Sequence, residues 1–171
     1  MIGELPTRLE VNGKSYAIRT NMRDVLKILQ AFGDPELENE EKVYICLFIL
    51  YRDFEEMPQD DYAAAYQAAM DFIDCGLKTG ASKGRPPVRT MDWEQDAPLL
   101  FPAINKVAGR EVRSLPYLHW WTFMGYYMEI NDGIFAQVMS LRSKKAKGKK
   151  LEKWEREFWA ANKDICVLKE K

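Results

Sequence analysis

A chain of 171 residues with 47% hydrophobic and 30% charged side chains and a net charge of −1 suits one core, and excludes global disorder and a general attraction to nucleic acid or anionic lipid. Its three cysteines, Cys46, Cys75 and Cys166, are odd in number and far apart, so no disulfide framework is expected. No basic region leads into an apolar run at the amino terminus, and the most apolar stretches, residues 43–51 and 117–128, fall short of the roughly 20 residues that span a bilayer; a soluble cytoplasmic chain is the expectation.

Residues 7–20 alternate apolar and polar side chains about Asn12-Gly13, the dipeptide suited to the two positive φ angles of a type I′ turn, which predicts a β-hairpin. A two-residue loop pairs Leu9 with Tyr16 and Val11 with Lys14, setting Leu9, Val11, Tyr16 and Ile18 on one face. Asn21 caps a helix bearing Met22, Val25, Leu26, Leu29 and Phe32, and Gly33 ends it. A second helix opens on Glu38, Glu40 and Glu41, beside the positive end of its macrodipole. It turns apolar almost all round across residues 43–51, so it is expected to be the central buried helix. Asp60 or Asp61 caps a third helix whose Tyr62, Tyr66, Met70 and Ile73 form a stripe, with Gly76 as its stop.

Residues 77–90, with Lys78, Lys83, Arg85, Arg89 and Pro86-Pro87, read as a mobile loop. Asp92 with Gln95 predicts a capping box, and Asp96 caps a helix from Ala97 toward Val107 that Pro102 should kink or confine to its first turn. A helix over residues 115–130 is the densest apolar segment. After the break at Asn131-Asp132-Gly133, a short helix carries Ile134, Phe135, Val138, Met139 and Leu141. The last helix places Leu151, Trp154, Phe158, Ala161 and Ile165 on one face, with Glu152 to Arg156 and Lys153 to Glu157 as i,i+4 ion pairs. The fold class is mainly α, a single helical domain over residues 1–171 with about six or seven helices. It divides into a hairpin at 7–20, a helical core at 21–143, a basic linker at 144–150 and a C-terminal helix at 151–168.

His119 is the only histidine and the cysteines lack paired spacing, so neither a metal centre nor a cofactor is expected, and His119 reads as structural. The segment around Gly80, Lys83 and Gly84 lacks the spacing of a phosphate-binding loop and follows a helix. Glu55, Glu56, Asp60 and Asp61 lie in a polar connection and are assigned to capping and solubility. No catalytic residue is named, and an enzyme is not expected.

Charge and aromatic surface carry the remaining signal. Ten acids stand against Lys42 and Arg52 over residues 34–61, whereas residues 142–153 hold seven bases against Glu152. Lys144, Lys145, Lys147, Lys149 and Lys150 form the candidate electrostatic contact, complementary to the acidic stretch within the chain or in a neighbouring subunit, so a homo-oligomer is considered. The same cluster offers a nucleic-acid alternative, against which stand the acidic balance and the lack of a base-reading motif. Trp120, Trp121, Phe123, Tyr126 and Tyr127 offer more aromatic surface than one helix face requires, and Trp159 projects about 100° from its helix's apolar stripe; of these, Trp120, Trp121, Tyr127 and Trp159 are the candidate partner-binding residues.

Several runs together resemble the bacteriophage gene-product-fifteen family: Leu9-Glu-Val-Asn-Gly13 through Thr20-Asn-Met-Arg-Asp-Val-Leu-Lys-Ile28, Phe72-Ile-Asp-Cys-Gly76, Asp92-Trp-Glu-Gln-Asp-Ala-Pro98, Leu118-His-Trp-Trp121 and Trp154-Glu-Arg-Glu-Phe158. The resemblance implies a tail assembly chaperone of a long-tailed phage, a non-catalytic protein of the host bacterial cytoplasm that is absent from the finished virion. Its implied partners are the tape-measure protein, which it holds soluble, and the tail-tube protein, to which it hands that cargo. A head or tail component retained in the virion is the alternative.

Overall fold

The computed structural model describes residues 3–77 and 89–169. Of the loop expected at 77–90, residues 78–88, with Lys78, Lys83 and Arg85, lie outside the described residues. The fold is mainly α with an N-terminal hairpin, and the chain divides into two compact units, Met1–Ala81 with Leu115–Gly125, and Ser82–Ser114 with Tyr126–Lys171.

In the first unit β1 (Arg8–Val11) and β2 (Lys14–Ala17) pair antiparallel, with Leu9 opposite Tyr16 and Val11 opposite Lys14 as expected. Asn12 and Gly13 take φ of 49° and 80°, the two left-handed conformations that the tight turn demands. Val11 and Ile18 are buried, and helix α3 (Tyr62–Ile73) packs against β1, which gives the hairpin the support that two strands lack alone. Helix α1 (Met22–Phe32) is capped by Asn21, whose side chain accepts from the Arg23 amide.

Helix α2 (Asn39–Leu50) opens with a capping box between Glu38 and Glu41. It is not the all-round buried helix that its composition predicts: Cys46, Leu47 and Leu50 face the core, while Tyr44 and Phe48 are 54% and 51% exposed. Neighbours α1 and α3 pack against α2 and leave the row through residues 40, 44 and 48 uncovered. Helix α3 (Tyr62–Ile73) buries Ala65, Ala69, Phe72 and Ile73, a face rotated from the predicted tyrosine stripe, because small alanines permit the close approach on which the Tyr51 hydroxyl donates to the Ala65 carbonyl at 2.8 Å. The chain leaves α3 through Cys75 and Gly76 at positive φ, and the Gly76 amide returns to the Asp71 carbonyl.

The predicted helix at 115–130 is shorter than expected, running as α5 (Trp120–Met128). Pro116 disfavours helix in the residue before it, and residues 118–120 are extended enough to hydrogen-bond residues 20–22: the Met22 amide donates to Leu118 and the Trp120 amide to Thr20. His119 therefore stands at the entrance to α5 rather than within it.

In the second unit α4 (Ala97–Ala108) continues through Pro102, contrary to the expectation that proline would confine it. Pro102 is exposed, so its ring meets water, and one missing donor is tolerated in a helix ended cleanly by Gly109 at φ 68°. Helix α6 (Gly133–Ala146) takes Lys144 and Lys145 out of the predicted linker, and α7 (Lys153–Ala161) and α8 (Lys163–Cys166) divide the predicted last helix at Asn162. The predicted apolar stripe is not the buried face: Trp154 is 56% exposed, whereas Glu155 and Cys166 are buried. Arg156 donates to the Leu151 carbonyl at 2.7 Å rather than pairing with Glu152, which is engaged in a capping box with Glu155.

Candidate partner-binding site

The four aromatic residues singled out by sequence occupy different environments. Trp120 is 1% exposed and its indole N–H donates to the Ile73 carbonyl at 2.8 Å, so it belongs to the core and not to a partner-facing surface. Trp121 is half-buried; its indole N–H donates to the Phe72 carbonyl at 2.8 Å and its ring stacks on Phe72. Tyr127, also half-buried, points its hydroxyl at the Met91 sulfur and packs against Trp93 and Phe135. Trp159 is half-buried beneath the Lys145 ammonium, 4.1 Å from the ring centroid, a cation–π contact that shields one face of the ring.

The basic cluster is likewise divided. Arg142 is buried and forms a two-point ion pair with Asp96, so it offers no charge to a phosphate. Lys144 donates to the buried Glu155 carboxylate and holds that acid below the ordinary carboxylate range, helped by the Glu152 amide. Lys147, Lys149 and Lys150 are exposed. The polar connection at 53–61 is not uniformly solvated either. Asp61 is buried and accepts from Asn12 at 2.8 Å and Tyr16 at 2.9 Å, with Lys14 at 3.5 Å; these donors lower its pKa, the Asn12 bond foremost.

His119 has both ring nitrogens engaged. Nδ1 accepts from the Trp121 amide at 3.0 Å, which places the proton on Nε2 and makes Nε2–H the donor to the Pro6 carbonyl at 3.0 Å. The imidazole thus supplies the missing side-chain cap for α5 and ties the segment before the hairpin to it. Burial pushes the Cys46 thiol up to about 12 and the Cys75 thiol to about 11, away from reactive thiolate character. No cluster of metal-ligating side chains occurs among the described residues.

Sequence reasoning missed a groove along α6. One face of α6, through Gly133, Ala136, Gln137, Ser140 and Leu141, forms with Asn131, Asp132, Glu155 and Trp154 a groove of about 360 Å³. These five positions on α6 recur at i, i+3, i+4, i+7 and i+8, a continuous helical row. Small side chains at 133, 136 and 140 keep the row low, and the exposed Trp154 stands as its wall. The signal in the sequence was the small-residue spacing, obscured because Trp154 fitted an apolar stripe that ends at Asn162.

The described residues define a mainly α protein with an N-terminal hairpin and with aromatic rings left open at Tyr44 and Phe48 on α2 and at Trp154 on α7. The sequence model of the family described as Bacteriophage Gp15 protein matches residues 1–168, and the chain belongs to that family. It is a phage structural or morphogenesis protein. Comparisons with curated proteins and with solved structures return no match. No helix among the described residues is long and apolar enough to cross a membrane.

Proposed function

We propose that this chain is a tail assembly chaperone that receives an amphipathic helical segment of its phage's tape-measure protein in the α6 groove beside Trp154. The groove carries the reading: it offers a helix-period trough of small residues with an exposed indole wall, polar at Asn131 and Asp132 at one end and at Gln137 midway, a low row along which an amphipathic helix can lie against an aromatic anchor. A tape-measure segment seated there buries the face through which it would otherwise aggregate. Contacts of modest strength, repeated along a long cargo, retain it by avidity and yield to tail-tube subunits as the tube grows. The role requires no catalysis or cofactor, is performed in the host cytoplasm and leaves no copy in the virion.

Co-expression of the tape-measure protein with the wild-type chain, Trp154→Ala and Trp159→Ala tests this. Wild type raises the soluble fraction and co-purifies with the cargo. Trp154→Ala loses most of both effects, and Trp159→Ala retains more because Trp159 lies outside the α6 groove and Lys145 shields one face of its ring. Failure of wild type to bind or solubilise the cargo refutes the chaperone reading. Stoichiometric recovery of the chain from purified virions by mass spectrometry supports a retained structural component instead.

A further inference from the structure

We infer a head-to-tail contact between copies of this chain, in which the aromatic row on α2 of one copy seats on the Leu151 and Trp159 hollow of the next. Glu40, Tyr44 and Phe48 follow one another at i,i+4 spacing along α2. The Tyr44 and Phe48 rings stack at 6.1 Å and 9°, about half of each is exposed, and buried Phe54 supports both edge-on at 5.3 and 6.2 Å. Beside Tyr44 lies a hollow of about 350 Å³ lined by Leu37, Ile45 and the carboxylates of Glu40 and Glu41. The second unit carries a counterpart of opposite sign: a hollow of about 370 Å³ floored by Leu151 and Trp159 and rimmed by Lys145, Lys150 and Arg156.

The occupant follows from charge. Two acid-rimmed rows repel each other, as do two base-rimmed hollows, so neither patch suits a twofold contact with itself. An acid-rimmed row on a base-rimmed hollow matches sign and covers the Tyr44, Phe48 and Trp159 rings together, the aromatic content that concentrates at interface centres. Because the two patches differ, the contact leaves a free patch at each end and propagates into a ring or filament. The contact involves neither Trp154 nor the α6 groove, and it stands apart from the chaperone reading.

Sedimentation velocity of the full chain across concentration and salt tests the contact. Wild type gains mass with concentration at low salt and loses it as salt screens the rims. Tyr44→Ser with Phe48→Ser, and separately Lys145→Glu with Lys150→Glu, each raise the dissociation constant by about tenfold or more. Mixed, the two variants give a 1:1 heterodimer and nothing larger, since one intact patch of each remains and the altered pair repels. Far-UV circular dichroism establishes folding, and Lys150→Glu alone, at an exposed linker position, replaces the double variant if that fails to fold. A wild type monomeric at millimolar concentration in low salt overturns the inference. So does association that both variants retain, or a mixture that fails to form the heterodimer.

Discussion

Arg142 and Asp96 meet in a two-point ion pair, 2.7 and 2.8 Å, with their side chains 4% and 2% exposed. Every guanidinium donor is engaged: Nε donates to the Cys166 carbonyl, one terminal nitrogen also to Thr90, the other also to Ile165. Asp96, read from sequence as a helix cap, gives its carboxylate to Arg142 and to the Asp92 amide, which joins the start of α4 to α6 and to the chain around α8.

Asp96→Asn is therefore expected to cost about 3–5 kcal/mol, because it removes the counter-charge and leaves the guanidinium buried without compensation. Urea unfolding with an unchanged m-value measures it. Asp96→Asn with Arg142→Met should be less damaging than Asp96→Asn alone, since the second change removes the stranded charge. A loss under about 1 kcal/mol for the single variant refutes the account.

The basic run behaves as two groups. Lys147→Glu, Lys149→Glu and Lys150→Glu together should leave the thermal midpoint of the monomer nearly unchanged, within the roughly 0.5 kcal/mol usual for surface positions. Lys144→Glu should lower it measurably, because a carboxylate then faces the buried Glu155 that Lys144 now satisfies. Differential scanning calorimetry at low protein concentration separates the two; equal midpoints for both variants contradict the assignment.

The hairpin and the α1 cap were legible because they are local: a turn dipeptide and an Asx cap specify geometry within a few residues, and the register followed from the loop length. Burial was less legible where it depends on what lies alongside. The sequence of α2 is apolar on every side, and only the placement of α1 and α3 decides that Tyr44 and Phe48 remain open. Trp154 and Trp159 depart from their expected exposure because α7 turns the row through Glu155 and Trp159 toward Lys144 and Lys145 of α6, which leaves Trp154 outward. Charged core residues were missed for a related reason: Asp61, Asp96, Arg142 and Glu155 look solvated in sequence, and their partners lie 11 to 49 residues away.

Asp61 gives a pH dependence with a definite sign. Its folded-state pKa is lowered below the model-peptide value of 3.8 by Asn12, Tyr16 and Lys14. Its stabilising contribution is accordingly complete above that value and is lost as pH falls through the lower folded-state pKa. Asp61→Asn should be less stable than wild type near neutrality, with the gap narrowing as pH drops below about 4. Denaturant midpoints for the two proteins between neutral and acidic pH measure the gap; a gap that widens on acidification excludes Asp61 as the hub of the hairpin.

The tryptophans separate core from surface in one experiment. Trp120 is 1% exposed and Trp154 is 56% exposed. Trp120→Ala removes a stacked ring beside Phe123, centroids 5.6 Å apart, together with the donor to Ile73, and should cost about 3–5 kcal/mol through cavity formation and a lost hydrogen bond. Trp154→Ala removes a ring that is mostly in water and should change stability by no more than about 0.5 kcal/mol. Trp120→Phe, which keeps an aromatic ring but not the indole donor, should fall between them. In acrylamide quenching, the readily quenched part of the emission should fall most on Trp154→Ala. Adding a tape-measure peptide to wild type should protect that same component, and Trp154→Ala should show no such protection. Protection that persists without Trp154 moves the binding surface elsewhere, while a Trp154→Ala protein as unstable as Trp120→Ala contradicts the exposure on which the groove assignment rests.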